Sequence, residues 1–126
     1  MADAAALEHY KKGLSLYGEG KYTLSIGEYD KALAIDPMWG DVLQAKGMAQ
    51  MHSGKLEDAL KTLKRVTEMS PDDPLAFTSL SMAYVRLENI EEAEKAQSQA
   101  RLLSWKQELK TNPDAPPPDT GMPIQP

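Results

Sequence analysis

The chain has 126 residues, the size of one domain, and its 41% hydrophobic and 26% charged residues are ordinary values for a globular protein. Nineteen acidic and 14 basic residues give a net charge of −5, and no segment is strongly basic, which argues against nucleic acid as a partner because phosphate binding needs clustered Lys and Arg. Cysteine is absent, which excludes disulfides and thiolate zinc sites.

Membrane targeting is not indicated either. The first residues, Met1 to Lys12, carry acids early and contain no apolar signal-peptide core. No apolar run approaches the roughly 20 residues that span a bilayer. We therefore expect a soluble, cytoplasmic protein without a membrane-inserted segment.

The first two predicted helices cover residues 4–18 and 22–36. Gly20-Lys21 forms the turn between them, since glycine tolerates the positive φ that such a turn requires. The second helix ends in Tyr29-Asp-Lys-Ala-Leu-Ala-Ile-Asp-Pro37. Pro37 stops the helix because it cannot continue the hydrogen-bond ladder and pushes Asp36 out of the helical region.

Two further pairs of helices follow the same plan. Their predicted bounds are 41–53 and 56–69, then 74–87 and 90–110. Gly54-Lys55 and Glu88-Asn89 form their turns, and Pro71 stops the fourth helix as Pro37 stops the second. Asp73-Pro74 is a strong helix start, with Asp as the N-cap and Pro in the first helical position.

The chain repeats with a period of 34 residues, in the windows 6–39, 40–73 and 74–107. Small residues that let helices approach one another recur at equivalent places. These sets are Gly13, Gly47 and Ser81; Ser25, Ala59 and Ala93; and Ala32, Val66 and Ala100. Each window therefore holds two helices and a tight turn.

The third window ends differently, because Trp105 stands where the earlier windows have proline. The sixth helix is free to run to Lys110, about 30 Å in length. Six of the 16 residues in 111–126 are proline, without apolar periodicity. We predict a repeat domain over 4–110 and a disordered tail with polyproline II tendency over 111–126.

The three windows resemble the tetratricopeptide repeat (TPR) family over residues 4–107. The stretch from Tyr22 to Pro37 carries the resemblance most strongly. The other windows carry it in Gly47, Gly54, Ala59 and Pro71, and in Phe77, Leu80, Tyr84, Ala93 and Ala100. The resemblance implies an all-α solenoid of three antiparallel helix-turn-helix repeats in a right-handed superhelix. Departures from the family pattern are Lys12, Lys46, His9, Leu43 and Gln50.

Residues for catalysis are hard to find in this sequence. Gly18-Glu-Gly-Lys21 lacks the flanking residues of a phosphate-binding loop. The two histidines, His9 and His52, fall at different repeat places with no cysteine to join them. Glu91, Glu92 and Glu94 are read as a solvated helix start. We therefore predict a protein that is not an enzyme and has no metal or cofactor.

In TPR proteins the first helix of each repeat lines a concave groove, and helical spacing indicates which residues face it here. The predicted lining residues are Leu7, Tyr10, Leu14, Tyr17, Gln44, Met48, Met51, Leu75, Thr78, Met82 and Val85, with Asp41 on the same face. Some family members grip a terminal carboxylate with Lys, Asn and Arg. The matching places here are Tyr10, Leu14, Ala45, Leu75 and Ser79, so that charge clamp is absent.

Two interpretations of this apolar face remain open: it is partly buried as core, or it receives an apolar peptide of a partner. The second makes the chain an adaptor, scaffold or co-chaperone-like module. Trp39 either packs on its neighbours or anchors a partner. A further candidate interface comprises Leu102, Trp105 and Leu109. This face is covered by the helix 74–87, the tail, a second copy of the chain or a partner's domain, and a covering second copy, or a tail in a neighbour's groove, would make the protein self-assembling.

Overall fold

The computed structural model describes residues 3–119, and six α-helices and no strands lie within that range. Their bounds are α1 Ala4–Gly18, α2 Tyr22–Ile35, α3 Gly40–His52, α4 Leu56–Met69, α5 Pro74–Arg86 and α6 Ile90–Leu109. Every bound lies within one residue of its predicted place. The chain is an all-α solenoid of three helix pairs, as predicted.

The turn inside each pair is repeated almost unchanged. After α1, the amide of Lys21 donates to the carbonyl of Leu16 across 2.9 Å, and Gly20 has a φ of 77°. After α3, Gly54 has a φ of 84°. This bonding satisfies the free carbonyls at a helix end and needs one residue in the left-handed region. In the third pair that residue is Glu88, with a φ of 61°, so the predicted turn is present but without its glycine.

Side chains cap three of the helix starts, including that of α6, where Asn89 accepts from the amide of Glu92 at 3.4 Å. The Asp73 carboxylate accepts a hydrogen bond from the amide of Leu75 at 3.0 Å, with Pro74 in the first turn, as predicted. Asp3 accepts from the amide of Ala5 at 2.7 Å. Such caps satisfy amides that have no partner inside the helix.

Small residues hold the two helices of each pair together. Gly13 of α1 lies against the ring of Tyr29 in α2, and Gly47 of α3 lies against Leu63 in α4. At the third equivalent place, the Ser81 hydroxyl of α5 donates to the carbonyl of Ala93 in α6 at 2.8 Å. The predicted close approach is therefore present in all three repeats.

The core consists of apolar clusters between neighbouring helices. One joins α1, α2 and α3, a second joins α2 to α5, and the third joins α3 to α6. Trp39, at the start of α3, packs edge-on against Tyr10 at 5.0 Å between ring centroids. Packing between neighbouring repeats is what stabilises a solenoid.

Three departures from the family pattern form polar contacts between helices. His9 Nδ1 lies 2.7 Å from the carboxylate of Glu28, and Lys46 Nζ lies 2.7 Å from that of Asp30. The Thr62 hydroxyl donates to the side-chain carbonyl of Gln50 at 2.7 Å. Each contact replaces an apolar one that the family pattern leads one to expect.

The predicted disorder of the tail does not extend to residues 111–119. This segment turns back on α6: the indole N–H of Trp105 donates to the carbonyl of Ala115 at 2.9 Å, and Ala115 is buried. An indole donor and a buried methyl group fix a segment whose composition alone predicts disorder. The remainder of the predicted tail, residues 120–126, lies outside the described residues.

Within the described part of the chain, no helix combines the length and apolarity that crossing a membrane requires.

Candidate functional site

The first helices α1 and α5 present exposed apolar side chains along the predicted groove face, and α3 contributes the half-buried Met48. Leu14 is 44% exposed, Leu75 58% and Val85 52%. Leu7 and Met82 are also exposed, and Tyr10, Tyr17, Met48 and Thr78 are half-buried. Nine of the predicted residues are thus accessible on these helices. This set forms the surface that we call the groove.

Two predicted groove residues have a different role. Met51 is only 1% exposed and belongs to the core cluster with Leu63 and Tyr84, so it is mainly a core residue and offers little surface to the groove. The side-chain amide of Gln44 donates to the hydroxyl of Ser79, which ties α3 to α5. Gln44 therefore mainly holds two first helices in register.

A small cavity lies between α1 and α3. It measures about 150 Å³ and is lined by Leu14, Tyr17, Tyr29, Ala45 and Met48. An apolar cavity of about 150 Å³ accommodates a benzene-sized group. This cavity therefore fits one apolar side chain of a ligand.

A second cavity lies one repeat further along, where α3, α5 and α6 meet. It measures about 340 Å³, and its lining residues are Met51, His52, Ser81, Met82, Val85, Arg86 and Gln97. Met82 and Met48 are 34 residues apart and hold the same repeat place. The groove thus offers two apolar depressions at equivalent positions of successive repeat boundaries.

Tyrosine rings form the wall of the groove in the first repeat. Burial raises the pKa of Tyr10, with the Asp41 carboxylate adding to it, and burial raises the pKa of Tyr17, with Tyr22 adding to it. The Tyr17 ring packs edge-on against His52 of α3 at 5.7 Å. These tyrosines are neutral at physiological pH and present ring edges rather than charge.

Below this wall, Tyr29 is fully buried at the base of the first cavity. Its hydroxyl has no hydrogen-bond partner among the described residues. Burial raises the pKa of Tyr29 to about 12, and the neighbouring hydroxyls of Tyr10 and Tyr17 add to the shift. A polar atom therefore lies at the base of an otherwise apolar cavity.

The second candidate interface lies on the outer face of α6. Leu102, Trp105 and Leu109 are half-buried there, and residues 111–119 turn back over Trp105. Trp39 lies elsewhere, against Tyr10 of α1. The four residues predicted as one possible interface therefore do not form a single surface.

Reasoning from the sequence missed six of the residues that line the two cavities, namely Tyr29, Ala45, His52, Ser81, Arg86 and Gln97. Tyr29 and Gln97 belong to second helices, α2 and α6, whereas the groove was read from first helices only. A second helix reaches the groove where the first helices diverge, and a 34-residue period carries no signal for that. Only the packing of the helix pairs places these side chains.

Possible metal ligands are not grouped together in the described part of the chain. Across residues 3–119, no three His, Cys, Asp or Glu side chains form a group that could hold a metal ion. The His9–Glu28 pair links α1 to α2 and is shielded, with the carboxylate 17% exposed. The features of the groove are those of an apolar binding surface.

The fold and the groove define a helical repeat protein of paired antiparallel helices. The tetratricopeptide repeat family model matches residues 16–81, just over half of the chain. The chain belongs to the tetratricopeptide repeat family.

One relative and two solved structures illustrate the similarity. Photosystem I assembly protein Ycf3 of Parasynechococcus marenigrum (strain WH8102) is 24% identical over 117 residues, covering 86% of this chain and 68% of that protein. The Yersinia enterocolitica type III secretion translocator chaperone SycD has a TM-score of 0.78 at 17% identity, covering 86% of this chain and 83% of that one. PcrH, solved in complex with the chaperone binding region of PopB, has a TM-score of 0.77 at 18% identity, covering 82% and 84%. The structural similarities show a shared fold.

Proposed function

We propose that the groove binds an extended apolar peptide segment of a partner protein, and that the chain is a non-enzymatic adaptor or co-chaperone-like scaffold. The observation that carries this proposal is the set of exposed apolar side chains on α1 and α5, Leu14, Met82 and Val85 among them, with the half-buried Met48 of α3 between them. An exposed apolar patch of this kind usually marks an interaction site. Covering one Leu or Val side chain contributes about 1.5–3 kcal/mol.

The two cavities lie at successive repeat boundaries, and we take their separation to be that of neighbouring packed helices. Neighbouring packed helices lie about 8–10 Å apart. A polyproline II chain advances about 3.1 Å per residue with three residues per turn. Side chains at positions i and i+3 of an extended ligand then point the same way, about 9 Å apart. We therefore propose a ligand with two apolar residues three positions apart.

The lining residues favour a site that accepts several kinds of apolar side chain over one that is selective for a single kind. Met48 and Met82 each contribute a flexible thioether side chain to a cavity, and methionine adapts to irregular partners. The five places matching the charge clamp of some family members hold no charged side chain. This favours recognition of side chains along a segment over recognition of a terminal carboxylate.

The comparisons support a role of this kind. PcrH is a chaperone solved with a segment of PopB, and Ycf3 is named for the assembly of photosystem I. Both descriptions concern a protein that handles another polypeptide. By analogy we propose a chaperone-like or assembly role for this chain, in the cytoplasm. Self-assembly through the outer face of α6 is the less favoured alternative, because residues 111–119 already lie on that face.

The proposal is tested by selecting peptides from a displayed library with apolar residues at i and i+3. Selected peptides are then titrated against the wild-type chain and two variants by fluorescence anisotropy. Leu14→Glu with Met82→Glu introduces charge into both cavities, and we expect affinity to fall at least tenfold. The matched control is Leu24→Glu, because Leu24 is 61% exposed on α2 and lines neither cavity. A folded double variant that binds as tightly as the control rules the groove out.

A further inference from the structure

The outer face of α6 is half-buried at Leu102, Trp105 and Leu109 although no helix packs on its outer side within residues 3–119. In the first repeat Ala32 is covered by α3, in a cluster with Val42, and in the second Val66 is covered by α5, in a cluster with Ala76. The equivalent residue of α6 is Ala100, which is buried, as is Leu103. The chain after α6 is not helical in residues 111–119. A different kind of segment therefore takes the place of the next helix.

That segment is Thr111–Asp119, in which Pro113-Asp-Ala-Pro-Pro-Pro118 dominates. Residues 115–119 have neither helix nor strand geometry. Proline fixes φ near the polyproline II value, and such a chain makes no internal hydrogen bonds. Its carbonyls are therefore available to donors on another element.

Two donors on α6 meet these carbonyls. The indole N–H of Trp105 donates to the carbonyl of Ala115 at 2.9 Å, and the guanidinium of Arg101 donates to that of Asp119 at 3.2 Å. Arg101 and Trp105 are one helical turn apart on the same face. Ala115 is 5% exposed, so a larger side chain at this position would have to displace the atoms that cover it.

Prolines of the segment line a cavity beside the indole. It measures about 310 Å³, and its walls include Trp105, Glu108, Pro116 and Pro118. An aromatic ring next to prolines, with donors aimed at the backbone, is the arrangement by which polyproline II segments are generally recognised. The remaining space shows that the resident prolines do not fill the site.

The return of the chain is fixed locally. The amide of Asn112 donates to the carbonyl of Glu108 at 2.8 Å, and that of Ala115 donates to the carbonyl of Asn112 at 3.1 Å. A tether of so few residues holds a ligand at an effective concentration on the order of millimolar. A contact is then largely formed within the chain when the dissociation constant of the free segment lies below this concentration.

We propose that the outer face of α6 around Arg101 and Trp105 is a binding site for polyproline II segments, occupied in the resting chain by its own residues 113–119. The ligand it takes is a proline-rich segment with a small residue at the place of Ala115. The site is separate from the groove and does not depend on the groove binding a peptide. A free proline-rich segment binds only when it displaces the resident one.

The test uses the full chain with Ala115→Arg, which makes the resident segment too large for its seat. The matched control is Asp114→Arg, since Asp114 is exposed and next in sequence. The indole N–H signals of Trp105 and Trp39 are followed by ¹⁵N NMR, with Trp39 as the internal reference. We expect Ala115→Arg to shift the Trp105 signal and speed its hydrogen exchange, and Asp114→Arg to leave both unchanged.

A synthetic peptide of residues 111–119 is then added to each chain. We expect it to restore the Trp105 signal of the Ala115→Arg chain at millimolar concentration or below and to leave the wild-type signal unchanged, because an identical tethered segment already occupies the site there. The same peptide carrying Ala115→Arg should have no effect. If Ala115→Arg disturbs the helical circular dichroism, Pro116→Ala with Pro118→Ala weakens the segment without adding bulk and should shift the signal in the same direction.

Three results would overturn the proposal. The first is an unchanged Trp105 signal in both Ala115→Arg and the Pro116→Ala, Pro118→Ala variant. The second is no response of the Ala115→Arg chain to the wild-type peptide at millimolar concentration. The third is a change of the Trp105 signal in the Asp114→Arg control as large as that in Ala115→Arg. Light scattering identifies the occupant: we expect a wild-type monomer. A wild-type dimer that Ala115→Arg dissociates would mean that a second copy supplies the segment, contrary to the intramolecular assignment.

Discussion

The ring of Tyr29 in α2 lies directly on the backbone of Gly13 in α1, so that a Cβ atom on residue 13 would overlap the ring. Tyr29 is fully buried at this contact and also forms the base of the first groove cavity. The absence of one side chain therefore sets both the packing of the first helix pair and the depth of the groove. The same relation recurs between Gly47 and Leu63.

Gly13→Ala is expected to lower the free energy of unfolding by about 1–3 kcal/mol, the usual cost of overpacking a core. The matched control is Gly27→Ala, because Gly27 lies within α2 and a Cβ there meets nothing within 4 Å. Removing that helix glycine should raise stability by about 0.5–1 kcal/mol. Urea unfolding of both variants checks the prediction. Equal shifts for the two would contradict the contact with Tyr29.

Glu88 offers a stabilising change, since it has a φ of 61° where Gly20 and Gly54 occupy the equivalent turns. A non-glycine residue at this φ destabilises the folded chain by about 1–2 kcal/mol. Replacing it with glycine removes that cost, but the greater conformational freedom of glycine in the unfolded chain offsets part of the stabilisation. Glu88→Gly should therefore raise the free energy of unfolding by about 0.5–1 kcal/mol. Gly54→Ala, the reverse change one repeat earlier, should lower it by about 1 kcal/mol. Thermal and urea unfolding measure both, and a destabilised Glu88→Gly variant would refute the argument.

Tyr29→Phe should change the alkaline stability of the protein. Burial raises the pKa of Tyr29 from 10.0 to about 12 in the folded chain. Between these values the unfolded chain gives up the proton more readily, so the stability contributed by the neutral hydroxyl is complete below pH 10 and is lost as pH rises towards 12. The Tyr29→Phe variant should therefore lose less stability than the wild type between pH 10 and 12.

At neutral pH the same variant should be at least as stable as the wild type, because the buried hydroxyl has no partner among the described residues. Urea unfolding of both chains from pH 8 to 11.5 provides the comparison. A difference in stability that stays constant over this range would show that Tyr29 does not titrate as described.

Glu28→Gln should make the protein less sensitive to acid. The His9 hydrogen bond lowers the pKa of Glu28 below 4.5, with Lys31 helping. A carboxyl group with a lowered folded-state pKa contributes stability above its unfolded value, and this contribution is lost as pH falls through the folded value. Unfolding curves between pH 7 and 3 should show a smaller loss for the variant. Parallel curves for the two chains would contradict the pairing.

The helix bounds could be predicted to within one residue because residues close to each end determine where the helix starts and stops. Pro37 and Pro71 stop two helices, Asp73-Pro74 starts one, and Gly20 and Gly54 reverse the chain at fixed intervals. These effects depend on neighbouring residues alone. The face of each first helix that points to the groove was predicted from helical spacing, which places side chains three and four positions apart on a common face.

Met51 is a residue whose burial could not be predicted from helical spacing. It shares a helical face with Met48, yet Met48 is half-buried whereas Met51 is 1% exposed and packs against Leu63 and Tyr84. Spacing defines a face but not the edge at which a neighbouring helix covers it. Tyr17, the equivalent residue in the first repeat, is half-buried instead. The difference comes from which helices flank each position.

The sequence by itself determined the helices, their pairing and the repeat, because proline, glycine and small residues act through steric effects over a few bonds or at a fixed period. Only the tertiary structure decided which apolar residues line the groove and that residues 111–119 are held against Trp105. Both depend on groups distant in sequence: a core that encloses Met51, and an indole N–H that meets one free carbonyl of a proline-rich chain. Composition records the tendency of such a chain to stay extended, whereas its partner on α6 fixes where it lies.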